Sequence, residues 1–167
     1  MEHQTWTTMD KSTWGDGPWS AEVDKEQWSD ERTNLPCLIR RSRHGSLCGY
    51  VGVSEGHPWF ERGDMEVVVH DEITYAAFCQ EGGEAETICH VPAPGEPDRV
   101  WWLGFSCGGT WDISPAMEAR DRIKYGWEPI RTGDESYRDI AYVKDQCALL
   151  AVQARAAARL SEHGHLV

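Results

Sequence analysis

The sequence has no apolar run approaching the roughly 18 residues that a membrane-crossing helix needs, which excludes a hydrophobic helical anchor in the chain as written. It contains no CxxC pair, no HExxH and no glycine-rich phosphate loop. The paired-cysteine zinc modules, the metalloprotease helix and the P-loop therefore have no footing here. Internal repeats are absent. The opening residues Met1-Glu2-His3-Gln4 lack a basic region followed by an apolar stretch. The expectation is a chain that stays in the cytoplasm where it is made.

Basic residues are scarce. Lys and Arg number 16 against 28 Asp and Glu, for a net charge of −12. Such a field repels nucleic acid at long range, so direct nucleic-acid binding is not expected. The imbalance is concentrated: residues 61–98 hold 10 acids and 1 base, a local −9. A block of like charge most often faces solvent, and it can also imitate a phosphate backbone. At 167 residues the chain fits one domain with a core large enough to need no staples.

The six cysteines are Cys37, Cys48, Cys79, Cys89, Cys107 and Cys147. In a reducing cytosol they are expected as free thiols behaving as small apolar residues, with no disulfide and no tightly held zinc. His57, His70, Cys79, Cys89, His90 and Cys107 are chemically fit for zinc, but without paired spacing they predict no metal centre.

Residues 1–34 are polar and carry Trp6, Trp14, Trp19 and Trp28. Residues 1–18 read as a loose arm, 19–162 as a single α+β domain and 163–167 as a tail, with the arm touching the domain from Trp19 onward. Residues 37–41 and 47–53 form a predicted hairpin around Arg43-His44-Gly45-Ser46, with Cys37, Ile39 and Arg41 on one face and Leu38 and Arg40 on the other. Residues 65–70 and 73–79 read as strands, 80–99 as a long loop, and the apolar run at 100–105 as a buried strand. Met117–Lys124 predicts a short helix. Ile140, Val143, Cys147, Leu150 and Ala154 recur at helical spacing, which predicts a helix near 136–161, opened by Ser136 and Asp139 and stopped by Gly164. An antiparallel sheet with this helix across one face is the expected architecture.

Several motifs point further. Leu35-Pro36-Cys37-Leu38-Ile39, Leu47-Cys48-Gly49-Tyr50-Val51-Gly52-Val53 and Gly56-His57-Pro58 stand in order along the chain. Val69-His70-Asp71-Glu72-Ile73-Thr74-Tyr75, Gly104-Phe105-Ser106-Cys107-Gly108-Gly109-Thr110-Trp111-Asp112 and Tyr137-Arg138-Asp139 follow. This pattern resembles a group of uncharacterised tailed-phage and prophage proteins, from about Trp19 to the C-terminal helix. The resemblance implies an accessory phage gene and carries no established activity. Ser106 and Gly109 depart from it, standing where the pattern has an acid and a histidine.

Two constellations carry candidate chemistry. His57, His70, Cys107 and Asp112 lie at or beyond strand ends, where loops gather into pockets, and a histidine oriented by an acid can move protons. The turn Arg40-Arg41-Ser42-Arg43-His44 is the one dense basic stretch, and arginine's planar fork suits phosphate. The candidate ligand set is Arg41, Tyr50, His57, His70, Thr74, Cys107 and Asp112, with Arg41 and His70 expected on a common rim. Three function classes follow. The first is a host-modulating or counter-defence phage protein, without a cofactor or membrane partner, that binds a phosphate-bearing, nucleotide-like small molecule or a host protein. The second is a small hydrolase-type enzyme using His57, His70 and Asp112. The third is an acidic DNA mimic.

Overall fold

The computed structural model describes residues 1–164. Six strands form one antiparallel sheet: β1 (Gln4–Trp6), β2 (Lys25–Ser29), β3 (Pro36–Arg41), β4 (Leu47–Val53), β5 (Tyr75–Ala77) and β6 (Trp101–Ser106), in the order β1-β2-β3-β4-β6-β5. Two helices follow, α1 (Pro115–Tyr125) and α2 (Ile140–Gly164). The α+β fold with a long C-terminal helix on an antiparallel sheet is as the two periodicities predict.

The predicted hairpin is the centre of the sheet. Cys37 pairs with Val51 and Arg41 with Leu47. Alternation sends Cys37, Ile39, Val51, Leu103 and Phe105 to the face covered by α2. The stripe Val143, Cys147, Leu150, Ala151 and Ala154 meets them there, fully buried. Each large apolar side chain so buried contributes about 1.5–3 kcal/mol. Gly49 permits the close approach of helix to sheet, because a Cβ there would lie 2.4 Å from the Phe105 ring and 2.8 Å from the Cys147 sulfur. The opposite face carries Leu38, Tyr50 and Trp102 under the loop that supplies Ile88 and Val100.

The arm at residues 1–18 is not loose. Gln4–Trp6 pairs with β2 as an edge strand, and Trp14 is buried against Ala116 and Ala119 of α1. The tryptophans expected to touch the domain only from Trp19 onward do so from Trp6. β2 itself, Lys-Glu-Gln-Trp-Ser, has no apolar pattern to announce it. It buries Lys25 and Gln27 by giving each specific partners. Lys25 donates to the Glu84 carbonyl and lies over the Trp6 ring, while the Gln27 amide donates to Val91 O (3.1 Å) and accepts from Val91 N (2.8 Å).

Residues 65–70 are not a strand of the sheet. Met65, Val67 and Val69 do face the core, as their alternation predicts. Their backbone, however, runs beside α2, where Gln153 accepts from Val68 N (2.8 Å) and donates to Val68 O (2.7 Å). A helix side chain thus supplies the ladder bonds a neighbouring strand would give. The helix start is also corrected. Asp139 accepts from Tyr142 N (2.9 Å) as the cap, while Ser136 forms an isolated bridge with Asp112. The expectation of free thiols fails at one pair, since Cys79 and Cys89 are joined by a disulfide; Cys37, Cys48, Cys107 and Cys147 remain free. Composition signals the compartment, not which sulfurs a loop brings together. No helix among the described residues is long and apolar enough to cross a membrane. The expected tail lies partly outside those residues, α2 running on to Gly164.

Candidate functional site

The end of β3 puts Arg41 on the helix-facing side of the sheet, as the strand alternation predicts, but the side chain does not reach a rim. It is wholly buried. Nε donates to Asp24 Oδ1 at 2.8 Å, Nη1 to Gly45 O at 2.9 Å and to Tyr137 Oη at 2.6 Å. Nη2 donates to Val23 O at 3.0 Å and to Glu22 Oε1 at 3.4 Å. These partners account for all five N–H groups of a guanidinium, so none is left for a phosphate. The neighbouring acids are occupied in turn. Asp24 also accepts from Thr8 N, Met9 N and Lys11 Nζ, and Glu22 accepts from the Tyr137 hydroxyl (2.6 Å) and from Ile140 N (2.8 Å) at the start of α2. Arg40, Arg41 and Arg43 do line one cavity of about 240 Å³, shared with Asp24 and Glu86. Within it Arg40 donates to Glu86 O and Arg43 is exposed, while the His44 carbonyl accepts from Ala116 N and Met117 N at the start of α1.

His70 and Asp112 do come together. His70 Nε2 lies 2.9 Å from Asp112 Oδ2, and Nδ1 lies 2.7 Å from the Tyr142 hydroxyl. An ionised carboxylate only accepts, so in the neutral ring Nε2 carries the hydrogen and Nδ1 accepts from Tyr142. Asp112 is almost fully enclosed. Its Oδ2 also accepts from Gly109 N (3.0 Å), and its Oδ1 accepts from Arg138 Nε (3.1 Å). Asp71, held at a positive φ of 53°, brings a carboxylate oxygen to 3.5 Å from His70 Nε2. Burial pushes the Tyr142 hydroxyl above its ordinary pKa, while Arg138, stacked over the ring at 4.8 Å, opposes that shift. Tyr142, in the first turn of α2, was not singled out by the sequence, and Arg138, on the turn into α2, was quoted only within the Tyr137-Arg138-Asp139 motif. Their signal is that helix start, whose side chains reach His70 and Asp112.

The other candidates are placed elsewhere. His57 is a structural residue: Nδ1 accepts from Trp59 N (3.0 Å), and Nε2 donates to Ala154 O (2.8 Å). Burial lowers its pKa, which suits a neutral ring with one donor and one acceptor. Cys107 is buried beside Asp112, and desolvation drives its thiol well above the ordinary range, the opposite of an activated nucleophile. Tyr50 lies on the far face of the sheet, edge-on to Tyr75 at 5.6 Å. Thr74 donates its backbone N–H to Gly104 O (2.8 Å), extending the β5 pairing. The seven candidates therefore do not line one pocket.

A group of exposed large apolar side chains lies elsewhere, in the stretch at and beyond the end of α1. Ile123, Trp127 and Ile130 are 72%, 64% and 95% exposed. Tyr125 and Trp127 stack with centroids 4.6 Å apart. Trp127 and Ile130, with Pro129, form the apolar wall of a cavity of about 260 Å³ whose other wall is Glu118, Asp121 and Glu128. Sequence reasoning passed over this segment as irregular. The signal available was three aromatic or β-branched residues, Tyr125, Trp127 and Ile130, in a polar stretch with no periodicity to bury them. All ten acids of residues 61–98 are exposed as well.

Compared with models of known families, with curated proteins and with solved structures, the chain matches none.

Proposed function

We propose that the chain is a phage accessory protein that modulates its host by docking a host protein of basic surface, through the aromatic and acidic patch formed by Trp127 and Ile130 with Glu118, Asp121 and Glu128. The observation that carries this reading is the exposure of Trp127 and Ile130 beside the carboxylates of Asp121 and Glu128, the third, Glu118, being paired with Arg131 at 2.7 Å. Contiguous exposed apolar surface rimmed by charge is what partner sites look like, and Trp is among the residues that dominate binding energy. The rim and the net charge of −12 select a basic partner and steer its approach. The phage context rests on the sequence resemblance. Of the two ligand classes considered, the nucleotide-like one loses its main support because Arg41 has no donor to give.

The test is recovery of host proteins on the tagged chain from bacterial cells, for the wild type and for Trp127→Ala with Ile130→Ser. A basic host protein recovered by the wild type and lost in the double variant supports the reading. Recovery that is unchanged by the double variant contradicts it.

One observation favours the enzyme class, namely the Asp112–His70–Tyr142 relay. Its chemistry would be proton transfer through His70, with Asp112 fixing the ring. Against it, Arg138 already neutralises Asp112, Tyr142 is harder to ionise than a free tyrosine, and Gly109 stands beside Asp71 and Asp112 where the resembled pattern carries a histidine.

A further inference from the structure

We infer that Cys79, Cys89 and His90 form a redox-gated zinc site: closed as a disulfide when oxidised, and open as a three-ligand Zn²⁺ centre when reduced. The two sulfurs are bonded to each other, and a ring nitrogen of His90 lies within 4.8 Å of both; neighbouring ligands around a tetrahedral zinc stand about 3.5–4 Å apart, so reduction has to part the sulfurs to that separation. A second observation points the same way. His90 is 8% exposed, and its Nδ1 is buried with no hydrogen-bond partner. A buried ring nitrogen without a partner is in an uncommon and costly state unless a ligand satisfies it.

The loop is held by hydrogen bonds as well as by the disulfide. Gln80 N donates to Ile88 O, and Ile88 N donates to the Gln80 side chain. Thr87 N donates to Gly83 O, and the Gln27 amide holds Val91 on both backbone groups. These bonds bracket both cysteines and His90, so opening the sulfur bridge leaves the three residues close together. Cys79 and Cys89 are only half-buried, within reach of a reagent.

The chemistry balances simply. A dithiol reductant passes two electrons and two protons to the Cys79–Cys89 bond, which breaks into two thiols as the reductant closes to its own disulfide. Zn²⁺ then binds both sulfurs as thiolates and releases two protons, with neutral His90 as the third ligand and water in the fourth position. Two thiolates and an imidazole favour zinc over the hard cations that prefer oxygen.

The experiment uses Co²⁺ as a visible substitute for zinc. The intact chain is reduced with a phosphine, freed of reductant without oxygen, and titrated with Co²⁺ while near-ultraviolet circular dichroism follows the fold. The expected result is a thiolate-to-cobalt charge-transfer band saturating at one ion per chain, displaced by Zn²⁺, and absent from the oxidised protein. The band should vanish in Cys79→Ser/Cys89→Ser, and affinity should fall tenfold or more in His90→Gln. Absence of a band from folded reduced protein, or loss of the fold on reduction, overturns the proposal. So does a band that survives in the double serine variant, because it would belong to the other cysteines. Unchanged affinity in His90→Gln removes His90 from the site and with it the three-ligand centre.

Discussion

The Arg41 guanidinium and the Tyr137 hydroxyl meet at 2.6 Å, joining the end of β3 to the turn that leads into α2. Glu22 closes the triangle, accepting from Tyr137 and from the first amide of the helix. The arginine that a sequence reader would offer to a phosphate is instead the latch between sheet and helix. Removing one member of a buried, hydrogen-bonded ion pair costs about 3–5 kcal/mol, because the partner charge is left uncompensated. Arg41→Met should therefore lose stability on that scale in urea denaturation, and Tyr137→Phe about 1–2 kcal/mol. An Arg41→Met variant as stable as the wild type would mean that the guanidinium is free.

Lys25 gives the fold a pH signature. Burial, with Arg40 nearby, lowers its pKa from 10.5 to about 8, opposed by Glu84. A lysine whose folded pKa is depressed binds fewer protons folded than unfolded between those values. Its cost is fully present below pH 8 and is relieved as pH rises toward 10.5. The size is about 3 kcal/mol. The buried thiols Cys37, Cys107 and Cys147 have raised pKa values and act in the opposite sense, losing stability with rising pH. The clean readout is therefore the difference between wild type and Lys25→Met, measured by denaturation from pH 7 to 10.5. The wild type should gain on the variant as pH rises. A constant difference would show that Lys25 is not desolvated.

The Gln153–Val68 pair should behave as a piece of sheet. In Gln153→Ala the Val68 amide should exchange with solvent markedly faster, with an overall loss of about 1–3 kcal/mol for two hydrogen bonds. Unchanged protection at Val68 would place its partner elsewhere.

Asp112 holds three donors: His70, Gly109 and Arg138. Asp112→Ala should destabilise by about 2–4 kcal/mol and release the turn before α1. Replacing His70 with Ala should cost less and leave host-protein recovery unchanged. Loss of that recovery in His70→Ala would move the functional weight to the relay.

Legibility in the sequence followed the kind of interaction. β3, β4, β6 and α2 are built by apolar burial at fixed periods, and Cys37, Ile39, Val143 and Leu150 announce them. β2 was invisible because Lys25 and Gln27 are buried by individual polar partners, the Glu84 and Val91 backbones, that no period encodes. Residues 65–70 misled for the complementary reason. Met65, Val67 and Val69 have a strand's alternation and face the core, but a helix glutamine took the backbone bonds. At the candidate site, residue type predicted that His70 and Asp112 would lie together, and a hydrogen bond of 2.9 Å joins them. It also placed Arg41 and His57 with them, and those two are consumed by Asp24 and Glu22, and by Trp59 and Ala154. Whether a polar side chain is already satisfied is a property of the fold, not of its spacing along the chain.

The docking surface is tested most directly by a photo-crosslinking amino acid placed at Ile130 in the full-length chain and activated in phage-infected bacteria, with the same residue at Glu66 in the exposed acidic segment as the control. The account predicts a covalent adduct from position 130 to one basic host protein, diminished by Trp127→Ala, and none to that protein from position 66. Adducts from position 66 alone, or a position-130 adduct indifferent to Trp127, would contradict it.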